Sequence, residues 1–88
     1  MQAGEGIVGI DISKESFDVV LRGTGGEQHR VFSNDQKGFK ALVGWAEKQP
    51  ERVVHICMEA TGSYWEGLAE ALYQGGYRVS VVNPYQIK

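Results

Sequence analysis

Two acidic residues each close an apolar run just before the chain turns. Asp11 ends the run "IVGID", and Glu59 ends "VVHICME", which leads into the small-residue segment "ATGS". Two carboxylates held close together repel each other unless a cation lies between them. Oxygen ligands without a His or Cys cluster suit Mg²⁺ or Mn²⁺, and two such ions about 4 Å apart can promote phosphodiester cleavage. If Asp11 and Glu59 meet, we expect a divalent metal site that needs further ligands.

Each acid taken alone also has two simpler explanations. An acid at the end of a strand can cap the turn that follows it, or it can pair with a nearby cation such as Lys14. Neither explanation accounts for two acids placed in the same way. The pair therefore favours a shared metal more than either acid does alone.

The elements before Asp11 and after it must position that acid. Residues 7–12 are apolar on both sides, which predicts a strand buried on both faces, with Gly9 leaving space on the side of Asp11. Residues 16–23 and 27–33 are strand patterns joined by "GTGGE", whose glycines favour a hairpin loop. The first three strands are thus predicted to form an antiparallel meander.

A helix should follow the third strand, with Asn34 or Asp35 capping its first turn. It is predicted to end by Pro50. Because residues 52–60 form another apolar run after this helical crossover, we expect that strand to pair in parallel with the first. The apolar helix positions recur at i, i+3, i+4 and i+7, namely Phe39, Leu42, Val43 and Ala46.

A second helix and a fifth strand complete the predicted order. Ser63 and Glu66 have the spacing of a capping box, and the helix should stop at Gly75 and Gly76. Its predicted apolar stripe comprises Trp65, Leu68, Ala69 and Leu72. Residues 77–82 then form a strand that Asn83 and Pro84 stop.

The order βββαβαβ predicts an α/β fold with a mixed sheet and matches the first part of a ribonuclease-H-like fold. A generic α/β domain would show the same order. In either case the carboxyl ends of neighbouring parallel strands lie side by side, and open α/β sheets bind their ligands there. We therefore expect Asp11 and Glu59 to lie next to each other.

Composition limits the class of protein. The 88 residues suffice for one small domain, and 42% hydrophobic with 23% charged residues is ordinary for a globular chain. The sequence shows neither a membrane span nor a secretory signal, and its lone Cys57 is expected to be a buried small hydrophobe in a reducing, cytoplasmic setting. A net charge of −2 lacks the basic surface of a domain that binds nucleic acid by charge alone.

Two longer segments resemble one known family. These are "GIDISKESFDVVL" at residues 9–21 and "MEATGSYWEGLAEALYQGGYRVSVVNPYQIK" at residues 58–88. They are similar to the N-terminal, RuvC-like domain of the DEDD-type insertion-sequence transposases of bacterial and archaeal mobile elements. The resemblance covers nearly the whole chain from Ile7 onward. E-A-T-G-x-Y, followed by a helix and V-N-P, is its most specific part.

The resemblance implies roles for individual residues. Asp11 would be the first acid of the D-E-D-D set and Glu59 the second, both catalytic and both binding Mg²⁺ or Mn²⁺. Lys14 matches the lysine of the family's D-x-S-K segment and is a possible phosphate contact, although a solvated surface lysine explains it equally well. Three residues match the family's turn after the second acid and are further possible substrate contacts, namely Thr61, Gly62 and Tyr64. A tight entry into the following helix is the simpler explanation for them.

The resemblance also implies what lies beyond these residues. In the family a third and a fourth acid follow the V-N-P strand as a D-x-x-D pair, and the sequence ends at Lys88 before such a pair. Asp18, on an early strand, and Asp35, at a helix cap, are not expected to replace them. We therefore predict that residues 1–88 are the N-terminal part of a RuvC-like transposase domain and are inactive alone. The implied partners are DNA, a guide RNA of the element and further copies of the chain.

Two other functions remain open from the sequence. Actin-like and sugar-kinase proteins also begin with a G-I-D strand, but there a Gly/Thr/Ser-rich turn cradles phosphate, whereas Ile12, Ser13, Lys14 and Glu15 follow here. A non-catalytic module that dimerises through an exposed sheet edge or helix is the other alternative. His29 and His55 lack ligand partners at metal spacing, and we assign them no chemistry.

Overall fold

The chain folds around one mixed sheet of five strands. The computed structural model describes residues 4–59 and 63–82. Within them the sheet order is β3-β2-β1-β4-β5, with β1 antiparallel to β2 and parallel to β4. This confirms the predicted meander and the parallel crossover. The strands are β1 (Glu5–Ile12), β2 (Ser16–Gly23), β3 (Gly26–Ser33), β4 (Arg52–Glu59) and β5 (Val79–Val82).

Two helices, α1 (Gln36–Glu47) and α2 (Glu66–Gln74), follow β3 and β4. Their apolar stripes pack with one set of alternating side chains from β1, β2 and β4, and together these form the core. The sheet contributes to this core Val8, Ile10, Ile12, Phe17, Val19, Leu21, Ile56 and Met58, and the helices contribute Phe39, Leu42, Leu68, Ala69 and Leu72. No helix in the described ranges is long and apolar enough to cross a membrane.

Only one face of the sheet is covered by the described residues. Ile7 is 52% exposed and Val82 is 40% exposed, although both lie in apolar strands. The prediction that β1 is buried on both faces is therefore wrong. The prediction that Cys57 is a buried small hydrophobe is wrong too, because Cys57 is exposed. An apolar run predicts burial on both faces, but both helices lie on the same side of this sheet.

The helix starts differ in how they are capped. Asp35 caps α1, since its Oδ1 accepts a 2.8 Å hydrogen bond from the Gly38 amide. The predicted capping box of Ser63 and Glu66 is wrong, because α2 begins at Glu66 with Trp65 as its N-cap residue and no side-chain cap hydrogen bond. Ser63 instead lies in the turn that precedes the helix.

Candidate metal centre

Asp11 and Glu59 occupy paired positions on neighbouring strands. In the parallel pairing of β1 with β4, Asp11 lies opposite Glu59, and both residues are at the carboxyl end of their strands. Because neighbouring strands are about 4.8 Å apart and paired residues point to the same side, the two acids share one face of the sheet. The expectation that they lie side by side is met in the backbone register. That face is the one the helices leave open, hereafter the open face.

Neither acid is engaged by another side chain of the described part of the molecule. Asp11 and Glu59 are both exposed, and within residues 4–59 and 63–82 neither forms an ion pair or a side-chain hydrogen bond. The turn after β1 is closed instead by Ser13, whose Oγ donates to the Ser16 carbonyl at 2.9 Å. For Asp11, the two simpler explanations, a turn cap or a pair with Lys14, therefore find no support in the described residues.

A third acid, Asp18, lies in the same row. In the antiparallel pairing of β1 with β2, Asp18 is directly opposite Asp11, so the row across the open face runs Asp18, Asp11, Glu59. From the sequence, Asp18 is not expected to join the two acids, because it lies on an early strand and not at a strand end. In an antiparallel pair, however, the beginning of one strand lies beside the end of the other. The opposite direction of β1 and β2 is therefore the sequence signal that places Asp18 beside Asp11.

The carboxylate row is not a complete metal site. The described residues contain no group of three or more His, Cys, Asp or Glu side chains arranged to hold a metal. Asp18 lies 3.3 Å from His29 Nε2, and His55 Nε2 forms a 2.7 Å hydrogen bond with Ser80 Oγ. The histidines thus have partners within the sheet.

The donor chemistry of the remaining two acids fits part of a site for a hard divalent cation. Asp11 and Glu59 offer solvent-accessible carboxylate oxygens, and Mg²⁺ usually keeps several waters and takes only one or two protein carboxylates. Paired positions on one sheet face would let both acids reach a common ion. Asp11 and Glu59 are therefore the residues that would hold such a metal, with other ligands completing the coordination.

The open face also forms a shallow depression next to the acids. It has a volume of about 620 Å³ and is lined by apolar residues, the carboxylate row and Arg22. Gly9 lies at its floor, and an added Cβ there would meet no atom within 4 Å. The predicted space on the side of Asp11 is thus present. Cys57 lines the same depression from the strand position opposite Gly9.

Two of the other predicted contact residues, Lys14 and Tyr64, lie in turns at the same end of the sheet. Lys14 is exposed in the turn between β1 and β2, and Tyr64 is 47% exposed in the turn before α2. Thr61 and Gly62 lie outside the described residues. The structure thus brings Lys14 and Tyr64 to the carboxyl-end side of β1 and β4, where Asp11 and Glu59 lie.

Comparison with known proteins identifies the family. Residues 8–88 match the sequence profile of the IS110-type DEDD transposases, a family described simply as transposase. The chain belongs to this transposase family. The transposase domain is also 39% identical over 82 residues to the pilin gene-inverting protein of Moraxella bovis and, to the same degree, to that of Moraxella lacunata. Each match covers 91% of the chain and 26% of the relative, so the chain spans about a quarter of the length of these relatives.

Solved structures show the same fold at low sequence identity. Thermus thermophilus RuvC in complex with a Holliday junction substrate superimposes with a TM-score of 0.64 at 9% identity, over 93% of this chain and 66% of RuvC. YeaZ from Pseudomonas aeruginosa gives a TM-score of 0.59 at 13% identity, over 90% of this chain and 45% of YeaZ. The RuvC-like, ribonuclease-H-like fold is thus confirmed. Because such folds carry several functions, the family assignment, not the fold, disfavours the actin-like alternative.

Proposed function

We propose that this domain supplies the first two acids of a metal-dependent DNA transposase. Asp11 and Glu59 would bind a catalytic divalent metal, Mg²⁺ or Mn²⁺, for the cleavage and strand transfer that move an insertion sequence. The single observation that carries the proposal is the paired position of the two acids on the open face of a transposase-family domain. The relatives named for inverting a pilin gene support it, because inverting a gene requires DNA strands to be cut and rejoined.

The residues of the site divide the work in the proposed reaction. A bound divalent metal would activate a nucleophile and stabilise the charge that develops on the leaving oxygen. Asp11 and Glu59 would bind and orient that metal. Lys14, Tyr64, Thr61 and Gly62 are proposed substrate contacts, with the Lys14 ammonium suited to a phosphate and the Tyr64 ring suited to packing against a sugar or base.

The partners and setting of the whole protein form part of the same proposal. DNA is the proposed substrate, and the family resemblance supports a guide RNA from the mobile element and a homo-oligomeric assembly in the cytoplasm. Residues 1–88 would form the N-terminal part of the RuvC-like domain. Copurification of RNA and light scattering over a concentration series test these partners; a protein that is free of RNA and monomeric at all concentrations would contradict them.

A nicking assay tests the proposed chemistry. A transposase that contains this domain and the family's later acids should nick supercoiled plasmid in Mg²⁺, and Asp11→Asn or Glu59→Gln should abolish nicking while leaving the fold intact. The 88-residue chain alone should not nick, because it carries two of the four acids. Full activity of the Asp11→Asn transposase would refute the proposed role of the pair.

A further inference from the structure

One amide side chain joins the two turns that follow the acid-bearing strands. Asn34 lies between β3 and α1, and its Nδ2 donates hydrogen bonds of 3.0 Å to the Ser13 carbonyl and 3.0 Å to the Tyr64 carbonyl. The Lys14 carbonyl is a longer contact at 3.5 Å. The Asn34 backbone amide also donates to the Glu15 carbonyl at 2.9 Å. A half-buried residue thus holds the β1–β2 turn and the turn before α2 together.

The chemistry of these contacts requires an amide at this position. All three side-chain partners are carbonyl oxygens, which only accept hydrogen bonds, so the nitrogen of the Asn34 amide must face them. The two hydrogens of that nitrogen match the two short bonds. An aspartate would have the same shape but would turn a carboxylate oxygen towards carbonyl oxygens, which would repel it.

The two turns carry the exposed side chains of Lys14 and Tyr64. Ser13 follows Asp11 by two positions, and Tyr64 is in the turn at residues 63–65, immediately before α2. The strand register already fixes Asp11 against Glu59. Between residues 13–15 and 63–65, which the structure describes, no backbone ladder forms, and the Asn34 amide supplies two contacts that join them.

We propose that Asn34 is a positioning residue, which sets the spacing between the Lys14 turn and the Tyr64 turn so that both side chains contact one DNA backbone beside the acids. This inference rests on the proposed function, since it assumes a DNA substrate. It assigns Asn34 no contact with the metal. It therefore separates two tasks at this end of the sheet: strand pairing aligns the acids, and Asn34 aligns the turns.

A matched pair of substitutions tests this role. Asn34→Asp replaces the donor nitrogen with an acceptor at nearly constant shape. Gln28→Glu makes the same chemical change at the other end of the sheet, where the half-buried Gln28 Nε2 donates to Gln49 Oε1 at 2.8 Å. Both variants gain one negative charge; Asn34→Asp loses two short tertiary hydrogen bonds and Gln28→Glu loses one, so the free energy of unfolding of each is measured alongside. Only the first should alter the two turns.

The first measurement is backbone ¹⁵N relaxation of the metal-free chain. In the Asn34→Asp variant, residues 13–15 and 63–65 should lose order together, whereas Gln28→Glu should leave both turns as ordered as in the unmodified chain. If both turns keep their order in Asn34→Asp, or if only one loosens, Asn34 does not couple them and the proposal is overturned.

The second measurement is binding of a short fluorescein-labelled DNA duplex in Mg²⁺, with Mg²⁺ affinity measured separately. Asn34→Asp should weaken DNA binding about tenfold, the equivalent of one or two hydrogen bonds, with Mg²⁺ affinity unchanged. In a Lys14→Ala background the same substitution should cost less than about twofold, because one of the positioned contacts is already gone. If the losses of DNA affinity caused by Asn34→Asp and Lys14→Ala multiply in the double variant, the two residues act independently and the proposal is overturned.

The outcomes separate this inference from the proposed function. Failure of the unmodified chain to bind Mg²⁺ would count against the proposed function alone, because Asn34 is not assigned to the metal. Failure of the unmodified chain to bind DNA would overturn the positioning role. DNA binding that weakens in Asn34→Asp while Mg²⁺ affinity also falls would overturn it too, because the acids should keep their alignment through the strand pairing.

Discussion

Asp11 and Asp18 face each other directly across the antiparallel pairing of β1 with β2, on the open face of the sheet. Like charges at such a position destabilise a sheet. The same Asp11 lies opposite Glu59 on the other side, so β1 carries a carboxylate between two other carboxylates. This arrangement costs stability when no cation is bound, and it is compatible with the metal proposed at Asp11 and Glu59.

Neutralising Asp18 should stabilise the metal-free domain. In a His29→Gln background, which removes the imidazole that lies 3.3 Å from Asp18, we expect Asp18→Asn to raise the free energy of unfolding by roughly 0.5 kcal/mol, because it removes one like-charge pair across the strands. Urea unfolding without divalent metal measures the change. Asp11→Asn relieves the same repulsion, so the double variant should gain little beyond either single one. Gains that add fully would show that the two charges do not interact.

Two glycines in α1 should respond oppositely to the same substitution. A Cβ on Gly38 would clash with the Ser33 carbonyl oxygen, whereas a Cβ on Gly44 would meet nothing within 4 Å. Gly38→Ala should therefore lower the free energy of unfolding by roughly 3 kcal/mol. Gly44→Ala should raise it by up to about 1 kcal/mol, because alanine favours the helix. Thermal unfolding of both variants measures the two changes in stability. Equal changes would contradict the close approach of Ser33 to Gly38.

The cap of α1 should make stability depend on pH in the acid range. Hydrogen bonds from the Gly38 amide and the Ser33 hydroxyl hold the pKa of Asp35 below its ordinary value of 3.8. The stabilisation that results from a lowered pKa in the folded state is fully present at pH values above the ordinary pKa. It is lost as the pH falls through the lowered pKa.

Comparison of Asp35→Ala with the unmodified chain measures this contribution. The variant should be less stable at neutral pH, and the difference should shrink as the pH falls below 3.8. A difference that stays constant down to the acid limit would mean that the carboxylate charge does not contribute to the cap.

Cys57 should react with a thiol reagent in the folded protein. It is exposed on the open face, on the strand position opposite Gly9. Ellman's reagent should therefore modify it without denaturant, at a rate close to that of the unfolded chain. Modification that requires unfolding would mean that the open face is covered in solution, for example by a second copy of the chain.

The sequence predicts the elements of this domain well and their environment less well. Apolar alternation, glycines at the turns and the helical crossover give the strand order and the parallel pairing of β1 with β4. The exposure of Cys57 and Ile7 could not be predicted, because an apolar run does not say on which side of the sheet the helices will pack. The capping box at Ser63 failed for a related reason, since residue spacing alone does not fix where a helix begins.

Some residues of the candidate site could be predicted from the sequence and others could not. Asp11 and Glu59 could be paired from the sequence because both close parallel strands, and parallel strands end on the same edge. Asp18 was missed because its place depends on an antiparallel register. Asn34 was considered only as a possible helix cap, and its three carbonyl partners come from segments up to 30 positions away along the chain.

Metal titration of the unmodified chain and its acid variants tests the central claim most directly. Mg²⁺ or Mn²⁺ is added to the chain and to Asp11→Asn and Glu59→Gln, with binding followed by calorimetry and by NMR shifts, and with Glu70→Gln on the exposed side of α2 as the matched control. The account predicts saturable binding that both site variants lose and the control keeps. Binding that survives in either Asp11→Asn or Glu59→Gln would contradict a shared metal.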